Sequence, residues 1–257
     1  MSDAGSDDVR EHRDWLASLV PIPERGLWVD LGCGRGDDVL TVASLQPSAD
    51  LRLIGIDSSM NAIAAARSGQ AASDSRIEFR AEKIEAALPF ASGSVDVVFS
   101  NNLVECLSDP EFFAREIGRI LKPGGWAIAA HWDWDSQIWD AHDKSRVRRL
   151  VQAFADWQQG WMDHSDGWMG RRLWGVFNGS GLFRGSIHAR VMTNTTFAPP
   201  WYGHARVQDL GALVQRGLAS EADYTEFVSE QDDLSATGKY FYGITGFAYV
   251  GKRTSSA

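Results

Sequence analysis

Long apolar runs, cysteine and basic charge are what this chain has least of. No apolar run approaches the roughly 18 residues of a membrane span, so no membrane association is expected. The opening MSDAGSDDVREHRDW has neither a basic start nor an apolar core, which argues against secretion and for a cytoplasmic location. There are two cysteines in 257 residues, and Cys33 sits inside a glycine turn, a poor place for a disulfide. Reducing surroundings fit this usage. Twenty-five basic residues stand against 34 acids, a net charge of −9, which argues against a dedicated nucleic-acid surface. No spacing of His, Cys and acids resembles a closed zinc set, so no metal is expected.

Tryptophan, in contrast, is abundant. Three of the eleven (Trp15, Trp28, Trp126) lie in the first half, and the other eight crowd into residues 132–201 without a repeat period.

Along the first half, strand and helix signals alternate five times. LWVDL (27–31), LRLIGID (51–57), RIEFRA (76–81), VDVVFS (95–100) and WAIAAHW (126–132) read as strands. They are near-continuous apolar runs, as in parallel strands buried on both faces. Helices are predicted over 10–20 (ended by Pro21 and Pro23), 37–46, 59–70 (capped by Ser58 or Ser59) and 109–121, the last capped by Asp109 with Pro110 at its first position. KPGG (122–125) would stop that helix. Residues 1–8 and TSSA (254–257) read as loose tails. The alternation describes a doubly wound α/β sheet.

The regularity then stops. Residues 133–175 read as mostly helical, with Val147, Leu150, Val151, Phe154, Trp157 and Trp161 on one apolar stripe. Helices follow over 171–183, 205–218 and 220–238, with strands over 186–197 and 247–253. APPWY (198–202) reads as a rigid turn at a strand end rather than a base-flipping motif.

VDLGCGRG (29–36) is the informative stretch. A strand, a glycine turn and a helix start form a nucleotide site in this architecture. The G-x-G-x-G spacing does not meet the G-x-G-x-x-G pyrophosphate fingerprint. Asp30 stands before the turn, which suits an ammonium-bearing cofactor without phosphate; Asp57, ending the second strand, suits ribose hydroxyls. The plainer reading is that both acids cap helices.

With LIGIDSS, LPFASGSVDVVFSNNLVECLSDPEFFAREIGRILKPGG and the closing ITGFAYVGKR, the chain resembles the class I S-adenosylmethionine-dependent methyltransferases, in particular their small-molecule branch. The resemblance is strong over 26–132 and absent over the Trp-rich stretch. It implies a Rossmann-like, mostly parallel seven-stranded sheet with its last strand antiparallel. It also implies that S-adenosylmethionine is the cofactor. Asp30, Gly32, Cys33 and Gly34 would line the methionine part and Asp57 the ribose. Ser58 and Met60 would border the adenine, with simple packing the rival reading for Met60. Asn101 and Leu103 would border the sulfonium. Where the family often has an acid after the third strand, this chain has Lys83; Glu82 or the backbone at Ile84 would substitute.

The expected organisation is a single domain over 1–257: a cofactor-binding core (26–132), an inserted Trp-rich helical lid (133–175) and a C-terminal completion of the sheet (176–257). Ligands lie at the carboxyl ends of strands in such folds. That places HWDWDSQIWDAHD (131–143) toward the acceptor. His131 is the candidate base, with a hydrogen-bonded structural histidine as the alternative. Asp133 and Asp135 are candidates for polarising or binding the acceptor, with helix capping the alternative. Trp132, Trp134, Trp139, Trp168 and Trp201 are candidate walls of an apolar or aromatic pocket, and tryptophan faces beside acids would suit a cationic amine. The expected activity is methyl transfer to a small aromatic or amphipathic molecule. The rivals are an NAD(P)-dependent oxidoreductase of similar fold and a non-catalytic S-adenosylmethionine-binding regulator.

Overall fold

The computed structural model describes residues 6–19, 22–48, 50–68, 73–84 and 87–254. The readings made on residues 1–5, Pro21 and most of the C-terminal tail lie outside these.

The elements run α1 (Asp7–Ser18), β1 (Gly26–Leu31), α2 (Asp37–Leu45), β2 (Leu51–Asp57), α3 (Met60–Ser68), β3 (Ile77–Ala81), β4 (Val95–Asn101), α4 (Pro110–Ile120), β5 (Leu121–Trp132), β6 (Ile138–Trp139), α5 (Lys144–Ala155), α6 (Met169–Gly179), β7 (Phe183–Asn194), α7 (Tyr202–Gln215), α8 (Glu221–Ala236) and β8 (Tyr242–Arg253). Strand order is β3-β2-β1-β4-β5-β8-β6, with β7 also on β8. The expected doubly wound α/β class holds. The strands number eight among the described residues rather than seven, because the two-residue β6 adds an edge. No described helix is long and apolar enough to cross a membrane.

The chain divides into two compact units. One contains Arg13–His131, Arg172–His188 and the described residues from Ala248 onward. Its β1, β2, β3, β4 and β5 are parallel neighbours. Their core gathers Trp28, Val39, Leu53, Ile63, Phe79, Val97 and Ile128. Register fixes what stands at one edge: Leu31 lies opposite both Ile56 and Ser100, and Asn101 opposite Ala130. The carboxyl ends of β1, β2, β4 and β5 therefore line up, and the residues just after them share that edge. Helix α4 begins as expected: the Asp109 side chain accepts from the Phe112 N–H at 2.7 Å and Pro110 takes the first turn. Such a cap contributes about 1 kcal/mol.

The second unit contains the described residues up to His12, Trp132–Arg171 and Ala189–Phe247. Val9, Trp132, Trp139, Leu150, Phe154, Val207, Phe227 and Tyr242 make its core. This differs from the expected partition. Helices α7 and α8, assigned to completing the sheet, pack instead with the 132–171 segment, because their apolar residues Val207, Leu210, Leu213 and Phe227 join that core. Three further expectations change. Ser6 to Asp8 are not a loose tail: α1 starts at Asp7, and buried Asp8 accepts from Asn194 Nδ2 (2.8 Å) and the Tyr202 N–H (3.0 Å). KPGG lies inside β5 rather than before it, with a register shift opposite Val95 to Val97. The α5 stripe stops with the helix at Ala155, so Trp157 is half-buried and Trp161 is 66% exposed.

Candidate functional site

The glycine turn leaves β1 through three left-handed residues: Gly32 (φ +77°), Gly34 (φ +53°) and Gly36 (φ +83°). A side chain at any of them would be strained, yet the three glycines have different surroundings. A Cβ on Gly36 would meet Phe79 at 2.4 Å, and one on Gly32 would meet Leu103 at 3.0 Å. A Cβ on Gly34 would meet nothing within 4 Å. Gly36 therefore serves packing, whereas the open side of Gly34 is free for a ligand.

Asp57, at the end of β2, straddles this turn. Its Oδ2 accepts from the Gly34 N–H (2.9 Å) and its Oδ1 from the Ser59 N–H (2.8 Å). Each carboxylate oxygen keeps a second lone pair. Ser59, rather than Ser58, accepts from the Ala62 N–H at the start of α3. That leaves Ser58 exposed beside Asp57. Met60 is 77% exposed, so it is not a packing residue.

Asp30 is 1% exposed, and its Oδ2 has no hydrogen-bond partner. Burial, reinforced by the charges of Asp38 and Asp57, pushes its carboxyl well above the usual carboxylate range. Burial also raises Asp38, against the opposing pull of Arg13 and Asn101. Arg13 lies 3.0 Å from Asp37 Oδ2 and 3.9 Å from Asp38 Oδ1, and Asn101 Nδ2 donates to Asp38 Oδ2 at 3.3 Å. Asp30, Asp38 and Asp57 thus interact around one glycine turn. Such a cradle favours a cationic group and disfavours a pyrophosphate. Sequence reasoning placed Asp30 and Asp57 here but left Asp38 and Arg13 as helix residues. The doubled acid after the last glycine was the available signal.

The remaining members of the expected cofactor set follow neighbouring strands. Cys33 is buried, and burial pushes its thiol far up, so it is no nucleophile. The Glu82 N–H donates to the Asp57 carbonyl at 3.0 Å. Glu82 and Ile84 are half-buried and Lys83 is exposed. Asn101 ends β4, Asn102 turns through φ +56°, and Leu103 closes over Gly32. His131 is buried near the end of β5, with Nε2 3.6 Å from Glu105 Oε1. Glu105, itself 4% exposed, was missed; an acid within the apolar LVECL was the signal.

In the second unit, Asp133 is fully buried, and its two oxygens meet Arg171 Nε and Nη2, each at 2.5 Å. This two-pronged pair engages the carboxylate as an anchor, so its oxygens are taken up by Arg171 rather than offered, as the sequence reading expects, to an acceptor. The expected tryptophan wall is divided. Trp139, Trp168 and Asp135 line one cavity of about 610 Å³. Trp168 Nε1 donates to Asp135 Oδ2 at 3.0 Å. Trp132, Trp134 and Trp201 do not line that cavity. Trp132 is core, stacked on His12 at 4.1 Å. Trp134 packs edge-on to Phe154 at 5.3 Å. Trp201 stands immediately before α7, after the cis Pro199–Pro200 bond. Among the described residues no three His, Cys, Asp or Glu side chains are grouped to hold a metal ion.

Comparison with known proteins agrees with the first unit's geometry. Residues 29–129 match a family described as methyltransferase domain. The chain is 28% identical over 254 residues to an uncharacterized 37.1 kDa protein in transposon TN4556 of Streptomyces fradiae, covering 98% of this chain and 69% of that one. It is 30% identical over 115 residues to the ubiquinone biosynthesis O-methyltransferase of Bordetella avium (strain 197N), covering 45% of this chain. That match spans only 46% of the relative's length. Among solved structures, geranyl diphosphate methyltransferase in complex with S-adenosylmethionine is similar in fold, with TM-score 0.54 and 15% identity over 95% of this chain and 85% of that one.

Proposed function

We propose that the chain, whose residues 29–129 match a methyltransferase domain, is a class I S-adenosylmethionine-dependent methyltransferase that methylates a small aromatic or amphipathic molecule. The observation that carries the cofactor assignment is the buried, partnerless Oδ2 of Asp30, four residues before Gly34, where an added Cβ would meet nothing within 4 Å. A buried carboxylate without a donor costs free energy that a cationic partner recovers. The residues fit the cofactor: Asp30 would accept from its ammonium, Gly34 would leave room for its backbone approach, and Asp57 would hold the ribose hydroxyls with its remaining lone pairs. Ser58, Met60, Glu82, Lys83 and Ile84 would border the adenine, and Asn101 and Leu103 the sulfonium. When bound, S-adenosylmethionine supplies a methyl group on a sulfonium that is already a good leaving group.

The protein's own task is then to align the acceptor, exclude water and receive a proton where the acceptor carries one. His131 is the proposed proton acceptor, and Glu105, whose Oε1 lies 3.6 Å from its Nε2, would offset the charge of the resulting imidazolium. Asp133 is assigned to holding Arg171 rather than to proton transfer. The small-molecule acceptor is supported by the acidic balance of the chain.

The test combines calorimetric titration with S-adenosylmethionine and incubation with a library of small acceptors, read by mass spectrometry as gain of one methyl. Cofactor binding with transfer to at least one library member is expected. Cofactor binding with transfer only to protein or RNA would overturn the small-molecule assignment.

A further inference from the structure

The cavity in the second unit has an internal order that points to a class of ligand. One wall is a single face of α5: Lys144, Val147, Arg148, Val151 and Gln152. These positions fall at i, i+3, i+4, i+7 and i+8, so they project along one side of the helix. At 1.5 Å per residue the face is about 12 Å long. Its middle is apolar, faced by Ile138 and Trp139. Its first two turns carry two cations. The neighbouring Arg146 and Arg149 are engaged by Glu226, Glu230 and Asp223. Lys144 and Arg148, in contrast, have no ion-pair partner among the described residues.

The acids of the lining do not cancel this charge. Asp135 is matched by Trp168 Nε1 at 3.0 Å and Arg171 at 3.8 Å. Asp156 follows the far end of α5, twelve residues beyond Lys144. At the near end Asp140, four residues before Lys144, is the one acid of the lining set against Lys144 and Arg148, while Asp143 is engaged by the Ser145 and Arg146 N–H groups as the helix cap. Trp168 is held at the rim by Asp135, with Arg171 4.6 Å above its ring. The wall is thus fixed before any ligand arrives.

We propose that this cavity binds an amphipathic anion, its apolar body along Val147, Val151, Ile138 and Trp139 and its acidic head between Lys144 and Arg148. Describing that occupant as the methyl acceptor rests on the proposed function; its binding does not.

The test is calorimetric titration of the full chain, without cofactor, using decanoate, decanol and decyltrimethylammonium. Two contacts to exposed cations are expected to favour decanoate over decanol by about tenfold. The Lys144→Glu/Arg148→Glu variant alters only exposed side chains; it should lose that preference and favour decyltrimethylammonium. Ile138→Asp, at a 52% exposed position, should weaken decanoate and decanol alike. Equal binding of decanoate and decanol by the unmodified protein, no binding of either, or a preference untouched by the double reversal would overturn the proposal. Failure of methyl transfer with decanoate selectivity intact would count against the proposed function alone.

Discussion

Replacing Asp30 by Asn should strengthen the free protein and weaken its cofactor binding. Asp30 is buried, its Oδ2 has no donor, and Asp38 and Asp57 add like charge. A carboxyl whose folded-state pKa is raised favours folding below its unfolded value of about 3.9. That contribution is lost as pH rises toward the folded value. Above its unfolded value the carboxyl is therefore a liability, and Asn removes the titrating group at nearly constant volume. The gain is set by the cost of one unsatisfied buried group, about 1–3 kcal/mol, less what the amide itself forfeits. In the complex the sign inverts. An ammonium against Asp30 forms a charge-assisted hydrogen bond worth about 1.5–3 kcal/mol, so Asp30→Asn should weaken adenosylhomocysteine binding by roughly tenfold to a hundredfold. The same logic makes binding release a proton below the raised pKa, so affinity should climb as pH rises through that range. Calorimetry in buffers of different ionisation enthalpy counts the proton, and thermal melts report the stability. An Asp30→Asn protein with unchanged affinity and no change in proton release would refute the reasoning.

Asp57→Ala should weaken cofactor binding by roughly tenfold to a hundredfold, read by the same titration. Gly34→Ala should cost the fold only the strain of its φ of +53°, about 1–2 kcal/mol, yet impair cofactor binding. Gly36→Ala should instead destabilise the protein through Phe79, and equal behaviour of the two in melts would contradict the assignment. His131→Ala should lower turnover by about 10²–10⁴ with cofactor affinity nearly constant; wild-type turnover across two pH values would remove His131 from the mechanism. Arg171→Ala should cost about 2–4 kcal/mol in denaturant unfolding, because it strands the buried Asp133 carboxylate. The lower end reflects the partial exposure of the guanidinium.

The parts legible in the sequence were those set by local chemistry. β2 was read to the residue because LRLIGID is apolar, sits beside turn residues and is buried on both faces. Helix α4 was read from Asp109 and Pro110, which specify a helix start whatever surrounds them. What escaped depends on partners distant in sequence. KPGG carries strong turn chemistry, yet pairing with β4 draws Leu121 and its successors into the sheet. Ser6 to Asp8 read as a tail because nothing local orders them; Asn194 and Tyr202, far along the chain, satisfy Asp8. The site shows the same division. Asp30, Gly34 and Asp57 were visible because the turn and strand ends announce them. Asp38 and Arg13 were not, because their pairing joins two helices. Asp133 was read as a group that polarises or binds the acceptor, since the sequence does not reveal that Arg171 occupies both its oxygens. The tryptophans could be counted but not sorted: Trp132 and Trp139 are similarly buried, and only Trp139 lines the cavity.

The central claim is that the acidic glycine turn accepts an adenosyl cofactor with a cationic, phosphate-free tail. Parallel calorimetric titrations of the unmodified protein with S-adenosylmethionine and with NAD test it most directly. The account predicts saturable one-to-one binding of S-adenosylmethionine and no heat from NAD, whose pyrophosphate would face Asp30, Asp38 and Asp57. Saturable NAD binding without S-adenosylmethionine binding would contradict it.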